Sequence, residues 1–312
     1  MPHQQDSVWK DLLDRYLEPF LAFFFPAVHA DVDWCRPPES LDKEFQRIVR
    51  DSTIGVRLAD KLVKVWLRDG KETWLLVHLE VERRPGPEFP ERIYVYGYRI
   101  FDRYRRPVIS LALLTDVGRG YRAALYRVAR WGFSLRLRFP VVKIADYRDR
   151  REALEQDPNP FALVVLAHLA VQDAKGSMPD LRDSKLRLVR LLFRRGYARA
   201  QVLELLRFLD WLVALPEDLE VVFWAEVEKL EEEASMPHVL SIERIAEKRG
   251  REEGIAVGEA KALLAVLAVR GLPLTEAQRN RILSCESGDC LERWLRRAVT
   301  ASSAAEVFEE AS

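Results

Sequence analysis

Residues 74–83 read Trp-Leu-Leu-Val-His-Leu-Glu-Val-Glu-Arg, and the fold predicted from the sequence is built around them. Its apolar, β-branched and aromatic residues favour a strand from Trp74 to Arg83. Because alternate side chains of a strand share a face, we expect His78, Glu80 and Glu82 on one face and the apolar residues between them on the other. Two carboxylates would then project side by side.

A second strand is expected just before this one, from Val56 to Leu67. The Asp69-Gly70 step between the two strands favours a two-residue hairpin turn, which would make the pair antiparallel. On this strand Asp60 is in phase with Leu62, so its carboxylate would face a partly buried surface.

A buried acid needs a partner, and a hard divalent cation such as Mg²⁺ or Mn²⁺ would serve because it prefers carboxylate oxygens. Such a metal would polarise a phosphoryl oxygen and lower the pKa of a bound water, without the need for a serine or cysteine nucleophile. The alternative is that Glu80 and Glu82 form an exposed charged stripe, which is common on the open face of a hairpin.

Further elements are expected on both sides of this hairpin. Before it, apolar residues at helical spacing predict helices over Leu12–Phe25 and Leu41–Asp51. After it we expect a helix over Pro90–Tyr104, a buried strand over Pro107–Thr115, and an alternating apolar and basic strand over Phe133–Phe139.

The chain is expected to have three regions. Mixed helices and strands fill 1–158, a limit set by the breaker cluster Asp157-Pro158-Asn159-Pro160. Residues 159–240 are helical, and 241–312 comprise a charged, glycine-interrupted helix and a small helical C-terminal domain. The predicted helices of the middle region are Phe161–Gln172, Leu181–Arg194, Ala198–Leu215 and Leu219–Ala234.

Residues 6–116 resemble the recombination-promoting nuclease (Rpn) family, also called the YhgA-like transposases. The likeness lies in the order and spacing of several short pieces rather than in any one of them. These pieces are Asp6, Trp9-Lys10-Asp11-Leu12-Leu13, Phe20–Pro26, Leu41-Asp42-Lys43-Glu44, Asp60, His78-Leu79-Glu80-Val81-Glu82, Tyr96-Gly97-Tyr98-Arg99-Ile100 and Pro107-Val108-Ile109-Ser110-Leu111.

That family resembles the PD-(D/E)xK nuclease superfamily, which implies an α/β fold. Its core has the element order αβββαβ, with a mixed sheet flanked by helices, and α-helical regions would follow this core. The resemblance implies that Asp60 and Glu80 bind the metal, and that Glu44 is a further catalytic acid on the preceding helix. Glu82 is a departure, because Gln is usual at this position in the family and Lys in the wider superfamily. Glu82 could add a metal ligand, act as a general base or mark a weakened site.

The helix after the hairpin carries a candidate DNA-binding stripe. Arg92, Tyr96, Arg99 and Arg103 fall at i, i+4, i+7 and i+11 and so lie along one face. Arginines can contact phosphates and a tyrosine can stack or donate a hydrogen bond, which suits a DNA backbone. The alternative is an ordinary solvated face on which long arginine side chains cover apolar surface.

Overall charge at first disfavours a nucleic-acid partner, because 49 basic residues among the 312 balance 49 acidic ones. The charge is segregated, however. Residues 83–151 hold 17 Lys and Arg against 6 Asp and Glu, whereas residues 216–233 hold 8 acids and one Lys. A phosphate-binding face is therefore compatible with the composition.

Three cysteines without a Cys-x-x-Cys pair suggest a reducing compartment, and no apolar run is long enough to span a bilayer. We therefore expect a cytoplasmic protein with no membrane partner and a possible homo-oligomer formed through its C-terminal helices. The predicted function is a metal-dependent DNA endonuclease in recombination or mobile-element biology. The alternative is a degenerate nuclease fold that acts as a non-cleaving DNA-binding or protein-interaction module.

Overall fold

The computed structural model describes residues 3–50, 61–80, 86, 88–116, 124–233, 258–283, 285 and 288–308. The chain forms two compact units, Met1–Leu230 and Glu231–Ser312. The sequence boundary expected near residue 158 falls inside the first unit.

The first unit combines helices with a mixed sheet. Its helices are α1 (His3–Arg15), α2 (Leu17–Phe24), α3 (Pro26–Asp31), α4 (Asp42–Arg50), α5 (Glu88–Tyr104), α6 (Arg151–Gln156), α7 (Pro160–Ala174), α8 (Met178–Arg194), α9 (Arg199–Leu212) and most of α10 (Glu217–Glu233), with a 3-10 helix at Ile144–Arg150. Its strands are β1 (Glu39–Ser40), β2 (Lys61–Trp66), β3 (Glu72–Glu80), β4 (Val108–Leu114), β5 (Leu125–Arg130), β6 (Phe133–Arg138) and β7 (Val141–Lys143).

Five strands form the main sheet in the order β1-β2-β3-β4-β7. The pairs β1–β2 and β2–β3 are antiparallel, whereas β3–β4 and β4–β7 are parallel. Parallel neighbours need a crossover connection, which α5 provides between β3 and β4. The predicted α/β class with a mixed sheet and flanking helices is confirmed, as is the antiparallel pairing of the two predicted strands.

The turn between β2 and β3 differs from the predicted two-residue turn. The backbone N–H of Leu67 donates to the carbonyl of Lys71 at 2.8 Å, so the loop holds three residues, Arg68 to Gly70. Gly70 has a φ of +85°. A three-residue hairpin loop commonly ends with a left-handed residue, and glycine adopts that conformation without steric cost.

The helix predicted over Leu12–Phe25 is two helices, α1 and α2, separated at Tyr16. Pro19 explains the break. Proline has no N–H to donate to the carbonyl four residues earlier, and its ring collides with that carbonyl, which here belongs to Arg15. A proline at this position therefore favours a break between the two segments.

The sheet is covered on both faces. On one face α4 and α5 pack over the central strands through Phe45, Tyr96 and Ile100, which contact Leu62 and Leu76. On the opposite face the strands also carry buried residues, namely Val63, Val65, Leu75, Val77, Leu111 and Leu113. This burial explains why β4 is the almost continuous apolar run expected of a buried parallel strand.

The N-terminal helices pack into the helical half of the same unit. Trp9 of α1 stacks on Phe161 of α7 with ring centroids 6.4 Å apart and meets Phe208 of α9 edge-on at 5.3 Å. Asn159 caps α7 through its side chain and also donates to the carbonyl of Pro19 at 2.9 Å. The helices predicted after Pro160 are confirmed.

The second unit is a small helical domain of α11 (258–269), α12 (Glu276–Leu283), α13 (Gly288–Ala298) and α14 (Ala304–Val307). Leu263, Leu267, Ile282, Leu291 and Trp294 are among its core residues. The charged segment expected from residue 241 to 257 lies outside the described residues. None of the described helices is both long and apolar enough to cross a membrane.

Candidate active site

The carboxyl ends of the parallel strands form one edge of the main sheet, and the sequence prediction assigns the acids of the strands to this edge. Asp60 and Glu82 lie outside the described residues. Glu80 is the last residue of β3, and its backbone is in register with Leu114 of β4, which is in turn in register with Lys143 of β7. These three residues define the carboxyl edge.

Glu44 belongs to the first turn of α4 and its side chain is half-buried. The next residue, Phe45, anchors the helix on α5 through an edge-on contact with Tyr96, with ring centroids 5.4 Å apart. An acid in the first turn of a helix interacts favourably with the helix dipole. The structure therefore fixes the position of Glu44 on the face of the sheet that α4 and α5 cover.

Burial divides the DNA-binding stripe predicted on α5. Tyr96 is fully buried in the core, so its ring is not available for stacking on a base. Arg92 is only 5 % exposed, and its guanidinium carbon lies 5.1 Å from the centroid of the Phe89 ring. Arg99 is half-exposed and Arg103 is exposed, so only these two remain accessible to a phosphate.

A buried ion pair lies at the carboxyl edge. Lys143 is fully buried and Asp116, two residues beyond β4, is almost so. The lysine Nζ lies 2.9 Å from Oδ2 of the aspartate. The desolvation of two charges is expensive, so a buried ion pair of this kind adds little net stability to the fold. Removal of one partner, however, would leave the other charge buried without compensation from this pair.

A second set of contacts holds the end of β4 against the helical half of the unit. Gln172 of α7 donates from Nε2 to the carbonyl of Thr115 at 2.9 Å. Arg148 in turn donates from Nη2 to Oε1 of Gln172 at 2.8 Å. The backbone just after β4 is thus fixed by side chains that come from outside the sheet.

Lys61, the first residue of β2, is another buried cation and the centre of a partly exposed charge cluster. Its Nζ forms ion pairs with Asp14 of α1 and with Asp42, the latter at 3.3 Å. Lys10 of α1 lies 3.1 Å from the same Asp42 carboxylate. This cluster ties the N-terminal helix to the edge strands and compensates the charges that it buries.

Sequence reasoning missed Lys143, Asp116 and Lys61 as buried charges. Lys143 had one signal, since it is the only charged residue in the otherwise apolar stretch 139–145. Asp116 had none, because it lies 27 positions before Lys143 in the sequence and the whole β5–β6 hairpin comes between them.

Among the described residues, no three His, Cys, Asp or Glu side chains form a group that could hold a metal ion.

No protein-family model, curated protein or solved structure matches the chain.

Proposed function

We propose that this chain is a metal-dependent DNA endonuclease that hydrolyses phosphodiester bonds, with a role in recombination or mobile-element biology. One observation carries the proposal. β2 begins at Lys61 in register with Val77, and β3 runs three residues further to Glu80. The amino end of β2 and the carboxyl end of β3 therefore share one edge of the sheet, and Asp60 immediately precedes β2.

The strand period supports this choice of edge. Leu62 and Leu76 are register partners on the face covered by α5. Asp60 comes two residues before Leu62, and Glu80 four residues after Leu76. In the sequence, Asp60 is thus in phase with Leu62 and Glu80 with Leu76, as the period of two of a strand requires for acids that share a face.

The chemistry of the proposed donor set fits Mg²⁺ or Mn²⁺, because Asp60 and Glu80 offer only carboxylate oxygens. Such an ion, when bound, supplies polarisation of a phosphoryl oxygen and acidification of water. Glu82 serves as a further ligand or as a general base that accepts a proton, and Glu44 is the fourth acid of the site.

A buried cation at this edge favours a cluster of acids. Lys143 is buried and is separated from Glu80 by a single strand. Positive charge in the neighbourhood of several carboxylates reduces their mutual repulsion. Lys143 is neutralised in part by Asp116, so we assign it a positioning role and not contact with DNA.

The test is nicking of supercoiled plasmid by the purified full chain with Mg²⁺. Asp60→Asn and Glu80→Gln keep the side-chain shapes and remove the charges, and we expect each to reduce the rate by at least about 100-fold. Glu155→Gln, which changes an exposed acid on α6, is the matched control and should leave the rate unchanged. Equal nicking by all three variants would refute the proposed site.

A non-cleaving DNA-binding or protein-interaction module is the second candidate, favoured by Glu82 at a position where the resemblance implies Gln or Lys. A working site should raise the melting temperature as Mg²⁺ or Mn²⁺ binds the folded state, whereas a decayed site should not respond. Glu82→Gln and Glu82→Lys separate the cases further. A large gain of cleavage in either variant favours a decayed enzyme, and a loss shows that Glu82 itself takes part.

A further inference from the structure

The β5–β6 hairpin is a separate two-stranded sheet. Every residue of its two strands is exposed or half-exposed. The hairpin is inserted between β4 and β7, and at its base the carbonyl of Pro140 accepts a hydrogen bond from Ala112 of β4 at 3.0 Å. Ala112 lies two residues before the end of β4, so the hairpin emerges beside the carboxyl edge.

The two faces of the hairpin differ in character. Antiparallel register places Arg127 opposite Arg136 and Leu125 opposite Arg138. Residues directly opposite each other share a face, so these three arginines belong to one face, and all three are exposed. The other face carries mostly apolar pairs, beginning with Tyr126 opposite Leu137.

The apolar face is the one that attaches the hairpin to the rest of the unit. Tyr126 stacks on Tyr94 of α5 with ring centroids 4.9 Å apart and an interplanar angle of 20°. Leu137 packs against the cluster that contains Phe89 and Phe139. The basic face is therefore the outward one.

The hairpin carries positive charge and no acid of its own. Residues 124–139 contain four arginines, Arg127, Arg130, Arg136 and Arg138, and no acid. Within the part of the chain that the structure describes, none of these four has an ion-pair partner. Like charges directly across a strand pair repel, so Arg127 and Arg136 together favour an anion that both can contact.

The tip of the hairpin presents an aromatic ring to solvent. Trp131 is 91 % exposed, and the guanidinium carbon of Arg130 lies 4.4 Å from its ring centroid. Trp131 and Gly132 both have positive φ, +50° and +85°, as in the tight turns that join two strands. An exposed ring with a cation beside it is suited to contacts with bases and phosphates.

We propose that the β5–β6 hairpin is an arm that binds duplex DNA, with Arg127, Arg136 and Arg138 on phosphates and Trp131 at the tip in a groove. A strand of six residues is about 20 Å long, and a two-stranded ribbon fits the major groove, which is about 12 Å wide. The choice of DNA among polyanions rests on the proposed function. The charge and exposure of the arm are independent of that function.

The experiment measures binding of the full chain to a fluorescent duplex by anisotropy, in EDTA so that cleavage plays no part. Arg127→Gln/Arg136→Gln should weaken binding about 10-fold to 100-fold and lower the slope of log affinity against log salt by about 2. Arg190→Gln/Arg207→Gln removes the same charge from exposed positions on α8 and α9 and is the matched control. We expect the control to bind as the unchanged chain does.

Trp131→Asn tests the tip separately, because asparagine tolerates the left-handed turn while the ring is lost. We expect a several-fold loss of affinity with an unchanged salt slope. Circular dichroism and the melting temperature of each variant show that it is folded.

The proposal is overturned if the two double variants lose equal affinity, since the charge would then act without regard to its place. It is also overturned if the arm variants bind duplex normally but shift the sedimentation coefficient, because the occupant would then be a second copy of the chain. Binding through the arm without any nicking in Mg²⁺ supports the arm and refutes the nuclease. If the arm variants neither change nicking nor weaken binding, the nuclease is supported and the arm is refuted.

Discussion

The carboxyl edge of the sheet and the β5–β6 hairpin differ in how their basic side chains are placed, since these are buried at the edge and exposed on the hairpin. At the edge, Lys143 is buried and ion-paired with Asp116. On the hairpin, neighbouring in sequence, Arg127 and Arg136 are exposed across from each other. Both sets of basic residues lie within residues 83–151, where Lys and Arg outnumber Asp and Glu.

The difference shows that the element lying over a residue decides the role of its charge. A covered cation must be matched within the fold, because leaving a buried charge alone is costly. An uncovered cation keeps its hydration and can exchange it for a phosphate. The proposed catalytic acids therefore belong near the first group, and the proposed DNA contact belongs to the second.

The largest effect is expected from Lys143→Met, which leaves Asp116 buried without its ion pair. The free energy of unfolding should fall by about 3–5 kcal/mol, measured by urea denaturation. Lys143→Met/Asp116→Leu removes both charges and should recover most of that loss. A loss below about 1 kcal/mol in the single variant would show that the pair is not buried as described.

His168 is a buried titratable group with no counter-charge among the residues that the structure describes. It stacks on Trp9 with centroids 5.6 Å apart, and burial lowers its pKa from 6.5 to about 3. Between these pH values the unfolded chain binds a proton that the folded chain does not. Stability should therefore be fully present above pH 6.5 and fall by up to about 1.4 kcal/mol per pH unit below it.

His168→Leu removes this proton linkage. The unfolding free energy of the variant should depend less steeply on pH than that of the unchanged chain below pH 6.5. Parallel curves of stability against pH for the two proteins would contradict the burial of a neutral histidine.

Gly132→Ala should have a smaller and local effect. A φ of +85° costs an alanine about 1 kcal/mol, although the added methyl group would have open space around it. Hydrogen exchange of the backbone amides in β5 and β6 should accelerate about 5-fold, while global unfolding changes little. Gly132→Asn, which tolerates this conformation, should be closer to the unchanged protein.

The smallest effect is expected from Arg127→Gln, the counterpart of Lys143→Met. It relieves repulsion with Arg136 and breaks no ion pair among the described residues, so the free energy of unfolding should change by less than about 0.5 kcal/mol. The same urea titration measures it. Destabilisation beyond about 1 kcal/mol would mean that this guanidinium supports the fold.

The sequence predicted most helices and strands because their apolar residues recur with clear periods. β4 is recognisable as a buried strand, and the hairpin of β2 and β3 from its turn and its alternation. The exact turn was wrong by one residue, because Asp69-Gly70 is compatible with both a two-residue and a three-residue loop. The break at Tyr16 could have been found from Pro19, which lies three residues later.

Burial on α5 was harder to predict. Two neighbouring stripes of this helix each contain aromatic or apolar residues, one with Tyr96 and the other with Ile93 and Ile100. Helical period identifies both stripes, but only the position of the sheet decides that Tyr96 lies in the core. Asp60 and Glu82 remain predictions from sequence, and the pairing of Lys143 with Asp116 depends on a tertiary contact across an inserted hairpin.

The contact of Trp9 with Phe208 also constrains how the chain can be made. Roughly 200 residues separate the two rings, and a ribosome adding about 5–20 residues per second needs about 10–40 seconds to pass from one to the other. Throughout that time α1 has no apolar surface from α9 to cover it. Trp9 can meet Phe161 of α7 earlier, so the packing of α1 is completed only when α9 has been made.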